Sequence, residues 1–137
     1  MLEGKLKVAD LPEAWNELFK SYVGLDVPND REGVLQDIHW SFVGFAEFPG
    51  YTLGNIIGAQ LMEKIRSELT DLEDQMERGE FGALLGWLHE HVYRHGRKFT
   101  PNKLLERETG RPLTPKPWIA YVRKKYSALY GLNLSKD

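Results

Sequence analysis

The chain has 137 residues, of which 42% are hydrophobic and 28% charged, and its formal net charge is −2. This length and composition predict one globular domain with a real core and exclude a disordered or fibrous protein. Cysteine is absent, so disulfides and thiolate metal sites are excluded, and the cytoplasm is the expected compartment. We expect the domain to cover residues 1–137, with residues 133–137 as a loose tail.

The distribution of charge and of apolar stretches bears on possible partners. Residues 1–93 contain 7 Lys and Arg against 17 Asp and Glu, whereas residues 94–137 contain 11 against 3. A basic C-terminal part could meet nucleic acid, but no recognition motif accompanies the charge, so we expect no nucleic-acid partner. The charge-free stretch that contains residues 51–62 is too short to span a bilayer, which needs about 20 apolar residues. We therefore expect a soluble protein without membrane contact.

The first third of the chain shows one clear helix and one ambiguous segment. Asp10 and Glu13 have the spacing of a capping box, and the helix that they begin is expected to stop at Gly24. Its apolar residues recur at helical spacing: Trp15, Leu18, Phe19 and Tyr22. Residues 34–42 fit both a helical face and an alternating pattern, and we favour one or two helical turns there.

A long apolar stripe predicts one helix over Tyr51–Arg78, ending before Gly79. Gly54 and Gly58 lie one turn apart within it. Because glycine in a helix interior costs up to about 1 kcal/mol relative to alanine, this placement suggests that another backbone approaches closely.

The remaining chain repeats the start and stop signals of helices. Three further helices are predicted, from Phe81 to near Gly96, from Thr100 to Gly110 and from Thr114 to Gly131. The chain is therefore predicted to be all-α, a single compact domain of five or six helices.

Three of the four histidines lie close together in "WLHEHVYRHGR". His91 and His95 are one helical turn apart, a spacing that can place two imidazoles on one metal ion. His89 and Glu90 begin an HExxH-like pattern, but its second histidine is replaced by Tyr93, and no third ligand is evident. We prefer the alternative, polar histidines at a helix end where they favour the helix dipole, and predict no metal site.

The segment of residues 33–55, "GVLQDIHWSFVGFAEFPGYTLGN", has an unusual composition for a loop. Gln36, Asp37, His39, Glu47 and Tyr51 stand among glycines and aromatic residues. Such a segment could supply hydrogen-bond donors to a developing oxyanion and so complete an active site. Alternatively, His39 and Tyr51 are core groups whose hydrogen bonds are satisfied internally.

The same segment carries a resemblance to a known family. "GVLQDIHW" fits the GxxQDxHW motif of the carboxypeptidase Taq family, zinc-dependent metallocarboxypeptidases of all-α fold. The resemblance continues in "FPGYTLGNIIGAQL", "HVYRHGRKFTPNKLLERETGRPL" and "YVRKKYSALYGL", and covers almost the whole chain. It corresponds to the last quarter or so of such an enzyme.

The resemblance implies roles for single residues. In the family mechanism, zinc-bound water attacks the C-terminal peptide bond, so His39 and Tyr51 are candidates for hydrogen-bonding the carbonyl and its oxyanion. Gln36 and Asp37 would hold the segment in place, and Trp40 completes the motif as a supporting residue.

Two arginines extend the implied site, and one carboxylate departs from the family pattern. Arg94 and Arg97 could help an electropositive cleft receive peptide carboxylates, although a structural ion pair is an equal alternative. After the His-Trp pair the family usually reads SxGSFGYFPTY, whereas this chain has "SFVGFAEFPGY" with Val43, Ala46, Glu47 and Gly50 as departures. Glu47 would place a negative charge near the oxyanion.

The resemblance also shows what the chain lacks. Members of the family carry an HExxH helix, a downstream glutamate as third zinc ligand and an arginine-bearing substrate motif, and none of these is present here. We therefore expect a domain or remnant that shapes the substrate cleft but binds no zinc and is inactive alone. The alternatives are a protein-binding module, for example a homodimer, and one half of a split enzyme that acts on peptide C-termini once an N-terminal partner polypeptide supplies HExxH.

Overall fold

The computed structural model describes residues 1, 3–41 and 47–133, apart from the side chain of Trp40. Two of the sequence departures, Val43 and Ala46, and residues 134–137 of the predicted tail lie outside the described residues. Within the described part the chain is all-α, as predicted, and contains no strand. The six helices are α1 (Leu11–Val23), α2 (Pro49–Glu68), α3 (Leu72–Glu77), α4 (Gly82–His91), α5 (Pro101–Thr109) and α6 (Lys116–Tyr130).

The chain divides into two compact units, Met1–Gly50 and Tyr51–Asp137. The first unit contains α1 and a series of 3-10 turns. Gly24 ends α1 in a left-handed conformation and donates its N–H to the carbonyl of Lys20, as predicted. The capping box is wrong, because Asp10 makes no side-chain cap hydrogen bond. Asp10 ends a 3-10 turn and has a helical backbone, whereas a capping residue needs an extended one.

The ambiguous segment after Gly33 forms 3-10 turns at Val34–Gln36 and Ile38–Ser41. Gly33, the first residue of the motif, is buried against the side chains of Val27 and Asn16. A Cβ at this position would lie 2.6 Å from Cγ1 of Val27, which is closer than real side chains pack. The motif glycine is therefore needed for packing.

The long predicted helix of the second unit is interrupted, so the prediction of one helix over Tyr51–Arg78 is wrong. The chain leaves the helix after Glu68 and re-enters it at Leu72. Two of the three residues in the gap, Thr70 and Asp71, are poor helix formers. The break is favourable because Leu72 becomes fully buried beside Ile65 and Trp87. Among the described residues, seven partly buried ones pack against this core: Leu61, Met62, Leu69, Met76, Leu84, Leu88 and Val92.

The two glycines of α2 do not mark a close helix contact. Among the described residues, no atom lies within 4 Å of a Cβ built on Gly54 or Gly58. The expectation that another backbone approaches there is therefore wrong for this part of the chain.

The C-terminal helices begin and end close to their sequence signals. The hydroxyl of Thr100 accepts the N–H of Lys103 at the start of α5, and Gly110 ends it with φ +72°. Gly131 likewise ends α6 with φ +63°. The α4 helix stops at His91, and a 3-10 turn, Tyr93–His95, leads to Gly96.

Gln60 fixes the connection between α5 and α6. Its side chain is fully buried on α2, where Nε2 donates to Oγ1 of Thr109 and to the carbonyl of Pro112 at 3.1 Å each. Its Oε1 accepts the backbone N–H of Thr114 at 3.0 Å. One amide therefore satisfies polar groups from both ends of the connection.

Candidate functional site

The motif histidine of the first unit is held by the carboxylate two residues before it. Oδ1 of Asp37 accepts the backbone N–H of His39 at 2.9 Å and lies 2.7 Å from Nδ1 of its ring. Both side chains are largely buried, with 15% of Asp37 and 16% of His39 exposed. The carboxylate favours a proton on Nδ1, so any contact of the ring with a substrate falls to Nε2.

The residues around this pair are less enclosed. Gln36 is exposed, and its Nε2 donates to the carbonyl of Arg31, which closes the turn that precedes Asp37. Trp40 belongs to the turn Ile38–Ser41, but its side chain lies outside the described part. The ring of Phe48 meets His39 edge-on, with centroids 5.3 Å apart.

The other sequence-predicted residues lie in the second unit or at the surface. Tyr51 stands in the first turn of α2 and is 65% exposed. Glu47, the unusual carboxylate, is exposed in the first unit. The structure thus brings Asp37 and His39 together, while their roles and that of Tyr51 remain predictions.

The second unit contains a polar cavity of about 270 Å³. It is lined by Glu90, His91, Arg94, His95, Arg107 and Glu108. Arg94 pairs with Glu90 one turn earlier, so the structural alternative for this arginine is observed. Arg97 is exposed and is not among the lining residues.

Glu108 forms the floor of this cavity. Its side chain is only 8% exposed, and its two oxygens have different partners. Nδ1 of His91 lies 2.6 Å from Oε2, and Nε of Arg107 lies 3.0 Å from Oε1. The guanidinium of Arg107 also lies over the ring of Phe99, whose edge or face meets His95 at a centroid distance of 5.3 Å.

A second carboxylate, that of Glu68, contacts the core residue Trp87. Trp87 donates its Nε1–H to Glu68, and Lys64 pairs with the same carboxylate at 2.7 Å. These contacts hold the pKa of Glu68 below its ordinary value, mainly through the hydrogen bond from Lys64 and then through that from Trp87. The charged form of Glu68 is therefore favoured by folding.

The contacts of the described histidines and carboxylates do not bring together a ligand set for a metal ion. Within the described residues, no group of three His, Asp or Glu side chains is placed to hold a metal ion. His91 contacts Glu108, and His95 packs against Phe99, so the two histidines have different neighbours. A zinc site needs three or four such ligands, so the described residues do not fit zinc.

Sequence reasoning missed most of the cavity and the role of Gln60. The spacing of Glu90 and Arg94 is a known signal for a helical ion pair and could have been used. Glu108 and Arg107 could not be assigned to the cavity, because their contacts join α4 to α5 across 17 residues of chain. Gln60 offers no signal, since its partners lie about 50 residues away.

Comparison with known proteins decides the family. The model of the carboxypeptidase Taq (M32) metallopeptidases matches residues 1–126. The chain belongs to the M32 carboxypeptidase family. Thermostable carboxypeptidase 1 of Thermus thermophilus is 42% identical over 131 residues, and carboxypeptidase 1 of Bacillus subtilis is 38% identical over 132.

Solved structures of M32 carboxypeptidases agree with the fold. The M32 carboxypeptidase of Deinococcus radiodurans superposes with a TM-score of 0.84 at 45% identity, covering 96% of this chain and 27% of that one. The metallocarboxypeptidase 1 of Trypanosoma cruzi gives a TM-score of 0.82 at 38% identity and covers 91% and 26%.

The match covers only part of the M32 relatives. It takes in 96% of this chain but 26% of the Thermus and Bacillus proteins, so the chain spans about a quarter of their length. No helix in the described part of the chain is long and apolar enough to cross a membrane.

Proposed function

We propose that this chain is the C-terminal portion of a zinc-dependent M32 carboxypeptidase and forms one wall of its peptide-binding cleft. The observation that carries the proposal is the pair of contacts by which Asp37 orients His39 within the family motif. A buried carboxylate that fixes both the backbone and the ring of a histidine is an arrangement suited to a site that must present Nε2 in one direction.

His39 can act on the substrate in two ways. With a proton only on Nδ1, its Nε2 accepts a hydrogen bond, whereas the doubly protonated ring donates one to a carbonyl or oxyanion. In either form, Nδ1 faces the carboxylate of Asp37, which sets the direction of the ring. On the family resemblance alone, Tyr51 is a further candidate hydroxyl donor, and Arg97 is a candidate to attract the carboxylate of a peptide C-terminus.

Hydrolysis itself is assigned to the larger part of the enzyme. The described residues do not supply a zinc ligand set, so the activated water must come from a segment that bears HExxH. We infer that the chain alone binds no zinc and releases no amino acid. A cytoplasmic setting would suit this function.

The test is complementation. The chain is mixed with the part of Thermus thermophilus carboxypeptidase 1 that precedes the matched region, with zinc, and release of C-terminal amino acids is measured. Release on mixing, and none from either part alone, is the expected result. Release by the chain alone would contradict the proposal.

Substitution of His39 tests its role in the mixed enzyme. His39→Gln should lower the rate by about 100-fold, as for loss of an oxyanion donor, whereas His89→Gln, at an exposed position, should leave the rate unchanged.

Self-association is the second candidate function. Large apolar side chains are exposed on α6: Ile119, Tyr121, Tyr126, Leu129 and Tyr130. Patches of this kind mark protein interaction surfaces. Light scattering of the chain at high concentration tests it, since a homodimer is expected and a monomer would exclude it. If the chain is one half of a split carboxypeptidase, the HExxH-bearing partner should displace the dimer.

A further inference from the structure

The cavity between α4 and α5 has a charge pattern that differs from that of a simple anion or cation site. Its lining includes two arginines, Arg94 and Arg107, and two glutamates, Glu90 and Glu108. With neutral histidines these formal charges cancel, so neither a plain anion nor a plain cation is attracted by a net charge. A ligand that carries both charges can instead meet each sign locally.

Of the four charged residues, Glu108 forms the fixed floor of the cavity, and Glu90, Arg94 and Arg107 form an adjustable rim. Glu108 is nearly buried, and both of its oxygens are engaged by His91 and Arg107. It therefore positions those two groups and is not available to a ligand. Glu90 and Arg94 are more than half exposed, and an exposed ion pair of this kind is weak enough for a ligand to displace it.

The rim offers hydrogen-bonding groups of both kinds. Arg107 contacts Glu108 through Nε, so its two terminal nitrogens carry four further N–H groups for a carboxylate. Arg94 pairs with Glu90 through a single oxygen, Oε1, so the second oxygen of Glu90 can accept from an ammonium. A volume of about 270 Å³ is just below that of sites for drug-sized ligands, which suits a smaller molecule.

From these contacts we propose that the cavity binds the zwitterion of a free α-amino acid. The α-carboxylate is held by Arg107 and Arg94, and the α-ammonium by Glu90. His91 and Glu108 keep the floor in place without contacting the ligand. The proposal goes beyond the proposed function because it needs neither zinc nor peptide cleavage.

The first experiment measures binding of L-alanine to the metal-free chain by NMR titration at neutral pH and low salt. We expect saturable shifts of the cavity residues with a dissociation constant of about 1–10 mM, since the rim is half exposed. N-acetyl-L-alanine lacks the ammonium and L-alaninamide lacks the carboxylate, so each should bind at least about tenfold more weakly.

The same titration can overturn the proposal. Equal affinity for N-acetyl-L-alanine or inorganic phosphate would show a simple anion site, and equal affinity for L-alaninamide a cation site. No saturation by L-alanine at about 100 mM, well above the expected constant, would show that the cavity does not bind amino acids. Because these titrations use the chain alone, their outcome is independent of complementation.

The second experiment tests separately the residue proposed to bind the ammonium and a residue proposed to bind the carboxylate. Glu90→Gln should weaken L-alanine binding about tenfold and leave binding of N-acetyl-L-alanine unchanged, and Arg107→Gln should weaken both. The matched controls are Arg78→Gln and Glu80→Gln, which break an exposed pair outside the cavity and should change neither affinity. If Arg107→Gln fails to fold, Glu90→Gln at its exposed position decides the question. Equal loss with Glu80→Gln would overturn the assignment.

Discussion

The indole ring of Trp87 lies parallel to the imidazole of His91, with ring centroids 4.2 Å apart and 15° between the planes. The indole N–H of Trp87 donates to the carboxylate of Glu68, and Nδ1 of His91 contacts the carboxylate of Glu108. Since these two glutamates come from α2 and α5, the stacked pair on α4 joins three helices through polar contacts that flank the apolar core. Stability of the second unit should therefore depend on charged groups as well as on buried area.

The first prediction concerns pH. Folding lowers the pKa of Glu68, so its contribution to stability is fully present above about 4.5 and is lost as the pH falls through the folded value. Glu68→Gln should therefore lower the unfolding midpoint at pH 7 and have a smaller effect at low pH. Urea unfolding at several pH values measures this. Glu77→Gln, an exposed glutamate on α3, is the control, and an equal pH dependence in both variants would contradict the assignment.

The second prediction concerns the buried amide. Gln60→Leu fills a similar volume but leaves the Thr114 N–H and the carbonyl of Pro112 without their buried partner. At about 1–3 kcal/mol for each unsatisfied group, the free energy of unfolding should fall by roughly 3 kcal/mol or more. Gln75→Leu removes an exposed hydrogen bond to Asp71 and should cost less than about 1 kcal/mol. Equal losses in chemical denaturation would show that the Gln60 contacts are not stabilising.

The third prediction concerns the motif glycine. Gly33→Ala places a Cβ against Val27 and should destabilise the first unit by about 1–3 kcal/mol, as in other overpacked sites. Gly50→Ala has no described neighbour within 4 Å and should not destabilise the chain. Hydrogen exchange of the amides around His39 reports the effect locally. Unchanged protection in Gly33→Ala would mean that the turn can absorb the extra atom.

The fourth prediction concerns the glycines of α2. Gly54→Ala should raise the stability of the chain by about 0.5–1 kcal/mol, because alanine favours the helix and nothing described opposes the new Cβ. Thermal unfolding of the chain alone provides the measurement. Destabilisation would indicate that another segment packs on this face. Asn55→Ala, at the next position of the same helix, controls for a general gain in helix propensity.

Much of the fold could be predicted, because helix limits depend on local chemistry. Thr100 and Gly110 begin and end α5 through their own hydroxyl and left-handed backbone, and the sequence carries both signals. The break after Glu68 cannot be predicted from periodicity, because the apolar stripe continues through it. Only the burial of Leu72 against Trp87, a contact across 15 residues of chain, makes the interruption favourable.

In the candidate sites, too, contacts between near neighbours can be predicted from the sequence, whereas contacts between distant segments cannot. Asp37 and His39 are two residues apart, so their proximity follows from the sequence. The sequence does not indicate that one carboxylate oxygen of Asp37 contacts both the backbone N–H and the ring of His39. The cavity depends on Glu108 meeting His91 from another helix, and no periodicity of either helix indicates this. For Arg94 the sequence allows both a cleft residue and an ion-pair partner, and the structure shows the ion pair.

The hydrogen bonds of Gln60 set the length of the connection between α5 and α6. One rigid amide spans groups at Thr109, Pro112 and Thr114, so an added or deleted residue would carry at least one of them out of reach. Engineering of this chain, such as insertion of a reporter or a circular permutation, should therefore avoid this connection and use the exposed segment Leu25–Asp26 that follows α1.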